Sequence, residues 1–416
     1  MSSRFVSIPV GTAALIALFS IISALQLADA GFKFLRSREA PSAAKVRTAL
    51  LGLNDMTIPV KHVLVALNGG LQRLAGRQSV SNTKDLDVAK LSDGTLTFGL
   101  SGVDNDNVGR LACENANYVR EAFDYCSKRS IPFLFVLCPC KPVREGAPFS
   151  ASSKLPSGID DIQNASADAF VEKLQSMSVT TLDLRSDMAK ASVRPEEFFF
   201  RTDHHWRPSS GLWASRIIAD ALKSRFGIQL DADLLSSARF LEARHSRFLG
   251  SLGTRTGSLY AGMDDYTCPV PRYDTDLEVS YDHKPESVKR GCFSNALFDE
   301  SVNRPFRRNP YGEMLSGGRG YVRVVNNGPS NGKKLLMPRD SFGQYVAPYL
   351  ALAFKEIVAV DFRQLKNETL VDFVNSETPD VVVAVFYTNA TRSPHGPFPV
   401  SIRSSEQRAN GDGIMP

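Results

Sequence analysis

Two short segments carry the residue types that acyl-transfer or hydrolytic chemistry needs. The first is Arg201-Thr202-Asp203-His204-His205-Trp206-Arg207-Pro208, in a chain with only six histidines. A carboxylate two residues before an imidazole can fold back onto its Nδ1 within one turn, which fixes the tautomer and leaves Nε2 free as a base. Pro208 stands just ahead of a helical pattern, so the segment is a loop that leads into a helix. The same residues also suit an N-cap aspartate beside surface histidines, or a metal pair without further ligands.

The second segment is Leu335-Leu336-Met337-Pro338-Arg339-Asp340-Ser341-Phe342-Gly343. An apolar strand runs straight into Asp340-Ser341, and an amphipathic pattern follows with Val346, Leu350 and Phe354 on one stripe. A serine at a strand-to-helix turn is presented at the carboxyl end of a sheet, where the first helical N–H groups face a developing oxyanion. Ser and Asp are also ordinary N-caps, so the reading needs a partner. Asp203 and His205 supply one if both segments reach the same sheet edge. Nucleophile, base and orienter then follow in the chain order Asp, His, Ser.

The elements that must position these residues begin at Thr95, where short β-rich runs alternate with amphipathic helices. That alternation predicts an α/β fold with a mainly parallel sheet and helices on its faces. Strands are expected at Thr95 to Leu100, Pro132 to Leu137, Val179 to Leu184, Lys334 to Met337, Glu356 to Asp361 and Asp380 to Phe386. Helices are expected over about Val108 to Cys126, after Pro208 with Trp213, Ile217 and Ala221 in step, and after Ser341. The stretch 227–333 is rich in Gly, Pro, Asn, Tyr and charge, and reads as a long insertion that builds a substrate wall. Residues 31–92 read as an N-terminal extension or stalk, 93–400 as the catalytic domain and 401–416 as a flexible tail.

The chain has 416 residues with 43% hydrophobic and 22% charged, enough for a large core and unlike a disordered or fibrous sequence. Its net charge of +5 is too mild and too dispersed for a nucleic-acid footprint. Several long apolar runs are lacking, which excludes a polytopic membrane protein. One run remains: no charged residue occurs from Phe5 to Ala28. Residues 6–25 can form a single membrane anchor. Arg4 before the run and Ala28-Asp29-Ala30 after it also suit a signal peptide cut near Ala30. Either route favours an extracytoplasmic body. Cys113, Cys126, Cys138, Cys140, Cys268 and Cys292 form an even set that an oxidising compartment could pair, or plain core thiols. Cys138 and Cys140 lack the spacing of a zinc or redox motif, and no metal or other cofactor is called for.

At these residues the chain resembles the DHHW and AlgJ/AlgX-like proteins, whose domain is a permuted relative of the SGNH hydrolases. The likeness rests on TDHHW at 202–206, followed by a helix, and on a strand that ends in RDSF at 339–342. Supporting segments are Asp93 to Leu96, Cys138-Pro139-Cys140-Lys141, Val179 to Arg185, and Val360 to Arg363. The resemblance implies an SGNH-hydrolase-like, flavodoxin-like fold in which the Asp-x-His motif precedes the serine motif. It implies Ser341 as nucleophile, His205 as general base and Asp203 as its orienter, with Trp206 in packing and His204 at a variable position. Arg339 stands where SGNH hydrolases commonly carry a glycine. Arg363 and Asn389 are candidates for oxyanion or substrate contacts, with the Ser341 N–H as a further donor.

The resemblance further implies an extracytoplasmic O-acetyltransferase. It would act on an exported or cell-surface polysaccharide through an acetyl-serine intermediate, with a membrane-bound O-acyltransferase supplying acetyl groups. A carbohydrate or acetyl esterase with the same three residues is the alternative, differing only in whether water or a sugar hydroxyl reaches the acyl-enzyme. A non-catalytic glycan-assembly subunit on the same fold is the other reading.

Overall fold

Eight strands form one sheet, and five neighbouring strands lie parallel within it, four of them continuous apolar runs. The computed structural model describes residues 58–80, 87–99, 105–143, 153–191, 193–282, 284–297, 319–365 and 367–393, with the single positions 145, 147, 150, 311, 314, 315, 396 and 397. The apolar run at 6–25, the cleavage position near Ala30 and the tail 401–416 lie outside them. Among the described residues no helix is long and apolar enough to cross a membrane.

The strands are β1 (Ser79–Val80), β2 (Asp87–Lys90), β3 (Leu96–Gly99), β4 (Phe133–Cys138), β5 (Thr181–Asp183), β6 (Phe240–Phe248), β7 (Asp264–Pro271), β8 (Leu277–Tyr281), β9 (Lys284–Gly291), β10 (Tyr321–Asn326), β11 (Lys334–Pro338), β12 (Glu356–Val360) and β13 (Val381–Tyr387). The main sheet runs in the order β5-β4-β13-β11-β12-β10-β8-β9. Strands β4 and β13 are buried at every position, because helices cover both faces of this part of the sheet. Alternate residues therefore feed two cores. Leu134, Val136, Leu335, Met337, Val383 and Val385 face one; Phe133, Phe135, Leu336, Val358, Val382 and Ala384 face the other. The helices are α1 (Ile58–Leu74), α2 (Asn105–Ser127), α3 (Ile162–Ser176), α4 (Leu184–Ala191), α5 (Pro208–Phe226) and α6 (Leu370–Glu377). Residues of α2, α3 and α6 pack in the second core, and those of α4 and α5 in the first. Pro208 opens α5 at its first turn and Gly227 closes it in the left-handed region, φ 68°.

Three expectations need correction. The strand at Leu96–Gly99 is not in the main sheet but pairs antiparallel with β2 in a separate three-stranded one. The stretch 227–333 is not outside the sheet: β8, β9 and β10 complete it on one side as antiparallel strands, and only β6 and β7 form a separate pair. The helix expected after Ser341 is a 3-10 turn at Gly343–Tyr345 and a four-residue helix at Ala347–Leu350. Residues 342–354 are buried throughout, so the apolar stripe read there belongs to an interior coil.

Leu336→Ala should lower unfolding stability by about 2–5 kcal/mol, because it opens a cavity at a closed site in the central strand. Leu241→Ala on the exposed face of β6 should stay within about 0.5 kcal/mol. Denaturant melts of the two variants make the comparison.

Candidate active site

The Asp-x-His loop is held from several sides before it meets the serine. Phe199 bridges Trp206 antiparallel, and the Phe200 N–H donates to His205 O at 3.2 Å, so the segment 199–206 closes as a tight loop ahead of α5. Asp264, at the start of β7, accepts from the N–H of Arg201 at 2.6 Å and of Thr202 at 2.7 Å. Thr202 O in turn accepts from Leu252 at 3.1 Å and Gly253 at 2.8 Å. On the other side the buried Lys141 ammonium donates to Leu96 O and to Arg201 O. Burial pushes the Lys141 pKa down to about 8, against the opposing pull of Asp264, Asp203 and Asp93.

Within this frame Asp203 is fully buried. Its Oδ1 lies 2.6 Å from His205 Nδ1 and accepts the His205 N–H at 3.1 Å, while Oδ2 accepts the Ser251 N–H at 2.7 Å. Burial alone would raise its pKa, yet the adjacent His205 and His204 rings and the Ser251 amide outweigh this and hold it well below the ordinary carboxylate range. Gly250 makes the close approach possible, since a Cβ there would lie 2.5 Å from Asp203 Cβ and 2.6 Å from its N. His205 Nε2 then lies 2.8 Å from Ser341 Oγ.

Ser341 follows β11 directly, at the carboxyl edge of the parallel strands. Asp340 does not touch the histidine. Its buried carboxylate accepts the N–H of Phe342 at 2.8 Å and of Tyr387 at 2.7 Å, tying the serine turn to the end of β13. With the Asp340 N–H bonded to Val385 O, the Ser341 N–H is left without an acceptor among the described residues. Tyr311 stacks on the His205 ring at 3.7 Å between centroids with an interplanar angle of 16°, and its hydroxyl donates to Ser341 O. Trp206 is buried, as expected of a packing residue, and its Nε1 also donates to Phe342 O at 3.2 Å, joining the two loops.

His204 lies beside His205, its ring centroid 3.7 Å away, and its Nδ1 is 3.0 Å from Ser251 Oγ. Burial and the neighbouring His205 push its pKa well below the usual histidine value. Asp203, His204 and His205 bring their ligating atoms within 4.8 Å of one another, but the Asp203 oxygens are committed to N–H groups and not to a shared centre. Arg363 follows β12, with its guanidinium 2.6 Å from Asp361. Asn389 follows β13 and accepts from Arg392 at 2.7 Å. The six cysteines are all free thiols, so the pairing offered as one reading is absent. Burial pushes Cys126 and Cys268 each up to about 12. A cleft of about 440 Å³ opens past the end of β4, lined by Pro139, Cys140, Pro142, Asn164, Arg185 and Met188 among others.

Ser251, Gly250, Asp264 and Tyr311 went unread in the sequence. Ser251 acts through its amide, Gly250 through its missing side chain, Asp264 through a carboxylate on amides more than sixty residues away and Tyr311 through a ring face, and none of these leaves a spacing to recognise.

A mainly parallel sheet thus brings an Asp-x-His loop and a serine turn to one edge, with the Asp-x-His segment first in the chain. Residues 110–261 match the family described as SGNH hydrolase-like domain, acetyltransferase AlgX, a stretch that includes Asp203 and His205 and ends before Ser341. In fold the chain is similar to Bacillus cereus PatB1 with a sulfonyl adduct, at TM-score 0.59 and 15% identity over 74% of this chain and 97% of that one. It is also similar to a DHHW family protein from Eubacterium siraeum, at TM-score 0.54 and 18% identity over 77% of this chain and 96% of that one. No curated protein matches it in sequence. The fold is thus SGNH hydrolase-like, as expected, and the likeness to the DHHW and AlgJ/AlgX-like proteins holds.

Lys141 gives the frame a pH signature. The folded chain releases its proton at about 8, and the unfolded chain at about 10.4. Between those values unfolding takes up a proton, so this residue makes stability rise with pH, by up to about 1.4 kcal/mol per unit. Urea midpoints measured across that window should lose this component of the slope in Lys141→Met; an unchanged slope would refute the assignment.

Proposed function

We propose that the protein is an extracytoplasmic O-acetyltransferase that acts on an exported or cell-surface polysaccharide, with Ser341 as nucleophile, His205 as general base and Asp203 as orienter. The observation that carries this reading is the unbroken hydrogen-bonded series from Asp203 through His205 to Ser341, at 2.6 and 2.8 Å. The matched family's description as an acetyltransferase supports acetyl as the group transferred.

Ser341 Oγ attacks the acetyl carbonyl of the donor and passes its proton to His205 Nε2. The Ser341 N–H faces the developing oxyanion, and Arg363 and Asn389 are candidates for further contacts to it or to the substrate. Collapse breaks the acetyl–donor bond, the donor's leaving oxygen or sulfur takes the proton from His205, and acetyl-Ser341 remains. A sugar hydroxyl then attacks the ester while His205 accepts its proton. On collapse Ser341 recovers that proton and the acetylated sugar departs. Asp203 keeps Nδ1 protonated throughout and stabilises the imidazolium. Tyr311, with its ring face against His205, favours that cation in the same way. A membrane-bound O-acyltransferase is the proposed source of acetyl groups. Neither metal nor other cofactor enters the scheme.

Ser341→Ala and His205→Ala should each reduce acetyl transfer to a glycan acceptor by about a thousandfold or more, and the double variant should fall little further. Retained acetylation in Ser341→Ala would leave only the assembly-subunit reading. Release of free acetate from an acetyl ester, unaffected by any glycan, would instead make the protein an esterase. A sulfonyl fluoride probe should label Ser341 in the native chain and fail in His205→Ala.

Tyr311→Ala should lower kcat by about tenfold through loss of the stacked ring, roughly 1–2 kcal/mol. Tyr311→Phe, which keeps the ring, should avoid more than half of that loss. Equal damage by both variants would assign the effect to the hydroxyl on Ser341 O.

A further inference from the structure

We propose that helix α1 is a lipid-contact element that lays the domain against an anionic membrane surface. Val63, Leu67, Leu71 and Leu74 recur at spacings of three and four, which puts them on one face of α1. They are 54%, 38%, 50% and 86% exposed. Leu259, 50% exposed, extends the strip, since its side chain borders Gly70. Soluble surfaces carry single exposed leucines routinely, but four leucines and a valine in one strip need an occupant.

Charge selects the occupant. From Met56 to Lys84 the chain has no acidic residue, while Lys61, Arg73, Arg77 and Lys84 are basic. The segment 253–262, on which α1 packs, adds Arg255 and again no acid. Arg73, Arg77 and Arg255 are exposed. An apolar strip with cations of one sign around it fits the boundary between acyl chains and anionic headgroups. A second copy of the same face would bring those cations together unpaired. The charge-free run from Phe5 to Ala28 ends about thirty residues before α1, close enough in chain length for a bilayer entered by one to be touched by the other.

The opposite face of α1 is fixed to the domain. A Cβ at Gly69 would lie 1.9 Å from Thr256 O, so the helix backbone rests directly on the short helices Gly253–Thr256 and Ser258–Ala261. Those helices begin two residues after Ser251, whose N–H holds Asp203. The lipid contact and the candidate site therefore share one loop, and membrane docking sets the distance between the site and the bilayer.

The test uses the full chain with phosphatidylcholine vesicles that contain a minority of phosphatidylglycerol, some brominated high on the acyl chains. A tryptophan at the strip, Leu67→Trp, should float with the vesicles, shift its emission to the blue and be quenched several-fold more than Tyr118→Trp on α2. Arg73→Glu combined with Arg77→Glu, or added salt, should reduce that quenching. Leu71→Trp serves as a second reporter if near-ultraviolet circular dichroism shows that Leu67→Trp is misfolded. Quenching no greater than that of Tyr118→Trp would overturn the proposal, as would failure to float. A concentration-dependent blue shift without vesicles, matched by dimers in sedimentation, would assign the face to a second copy.

Discussion

A carboxylate fully removed from water must be compensated where it lies, and Asp203 imposes that requirement on everything around it. Two oxygens need donors from different directions. His205 supplies its backbone N–H and ring nitrogen to one, and Ser251 supplies an amide to the other. The amide can approach only because residue 250 has no side chain. The requirement then passes outward, since the loop that carries Ser251 is itself pinned through Thr202, Thr202 through Asp264, and the same peptide segment through Lys141. Strain at any of these reaches His205 by way of the carboxylate that orients it.

The division of labour in the sheet follows from burial. Its parallel half is covered on both sides and ends in the loops that present Ser341, Arg363 and Asn389 at one edge. Its antiparallel half is freer to alternate, as the in-out pattern of Leu277–Tyr281 shows. The chain between β9 and β10 returns Tyr311 over the imidazole. The serine turn is thus placed by the parallel strands, while the ring that covers His205 comes from the antiparallel side.

This explains what could be read in advance. Strands β4, β11, β12 and β13 are continuous apolar runs because both of their faces are buried, and such runs stand out against helical periods. Strand β9, Lys284–Gly291, has no such run and becomes a strand through pairing with β8. The spacing of Val346, Leu350 and Phe354 imitates a helix face, but every residue between them is also buried, which a surface helix does not allow. Asp203, His205 and Ser341 were legible since two of them sit at a fixed separation and the third ends a strand. Their partners were not, for Ser251 contacts Asp203 through an amide 48 residues away that any residue type could provide.

The adjacent histidines show why spacing, and not residue type, separates their roles. An aspartate that accepts the N–H two residues ahead turns the backbone so that the side chain at that position folds over the same oxygen. His205 meets both conditions, with its N–H and its ring on Asp203 Oδ1. His204, one residue nearer, comes only to 3.4 Å from that oxygen and meets the Ser251 hydroxyl at 3.0 Å. Tilted by 37° against His205 at 3.7 Å between ring centroids, and kept from charging by burial, it adds bulk against the imidazole without adding a second cation. A charged neighbour there would oppose an imidazolium at 205, so a neutral His204 is compatible with the base role proposed for His205 in a way that a lysine or arginine at the same position would not be.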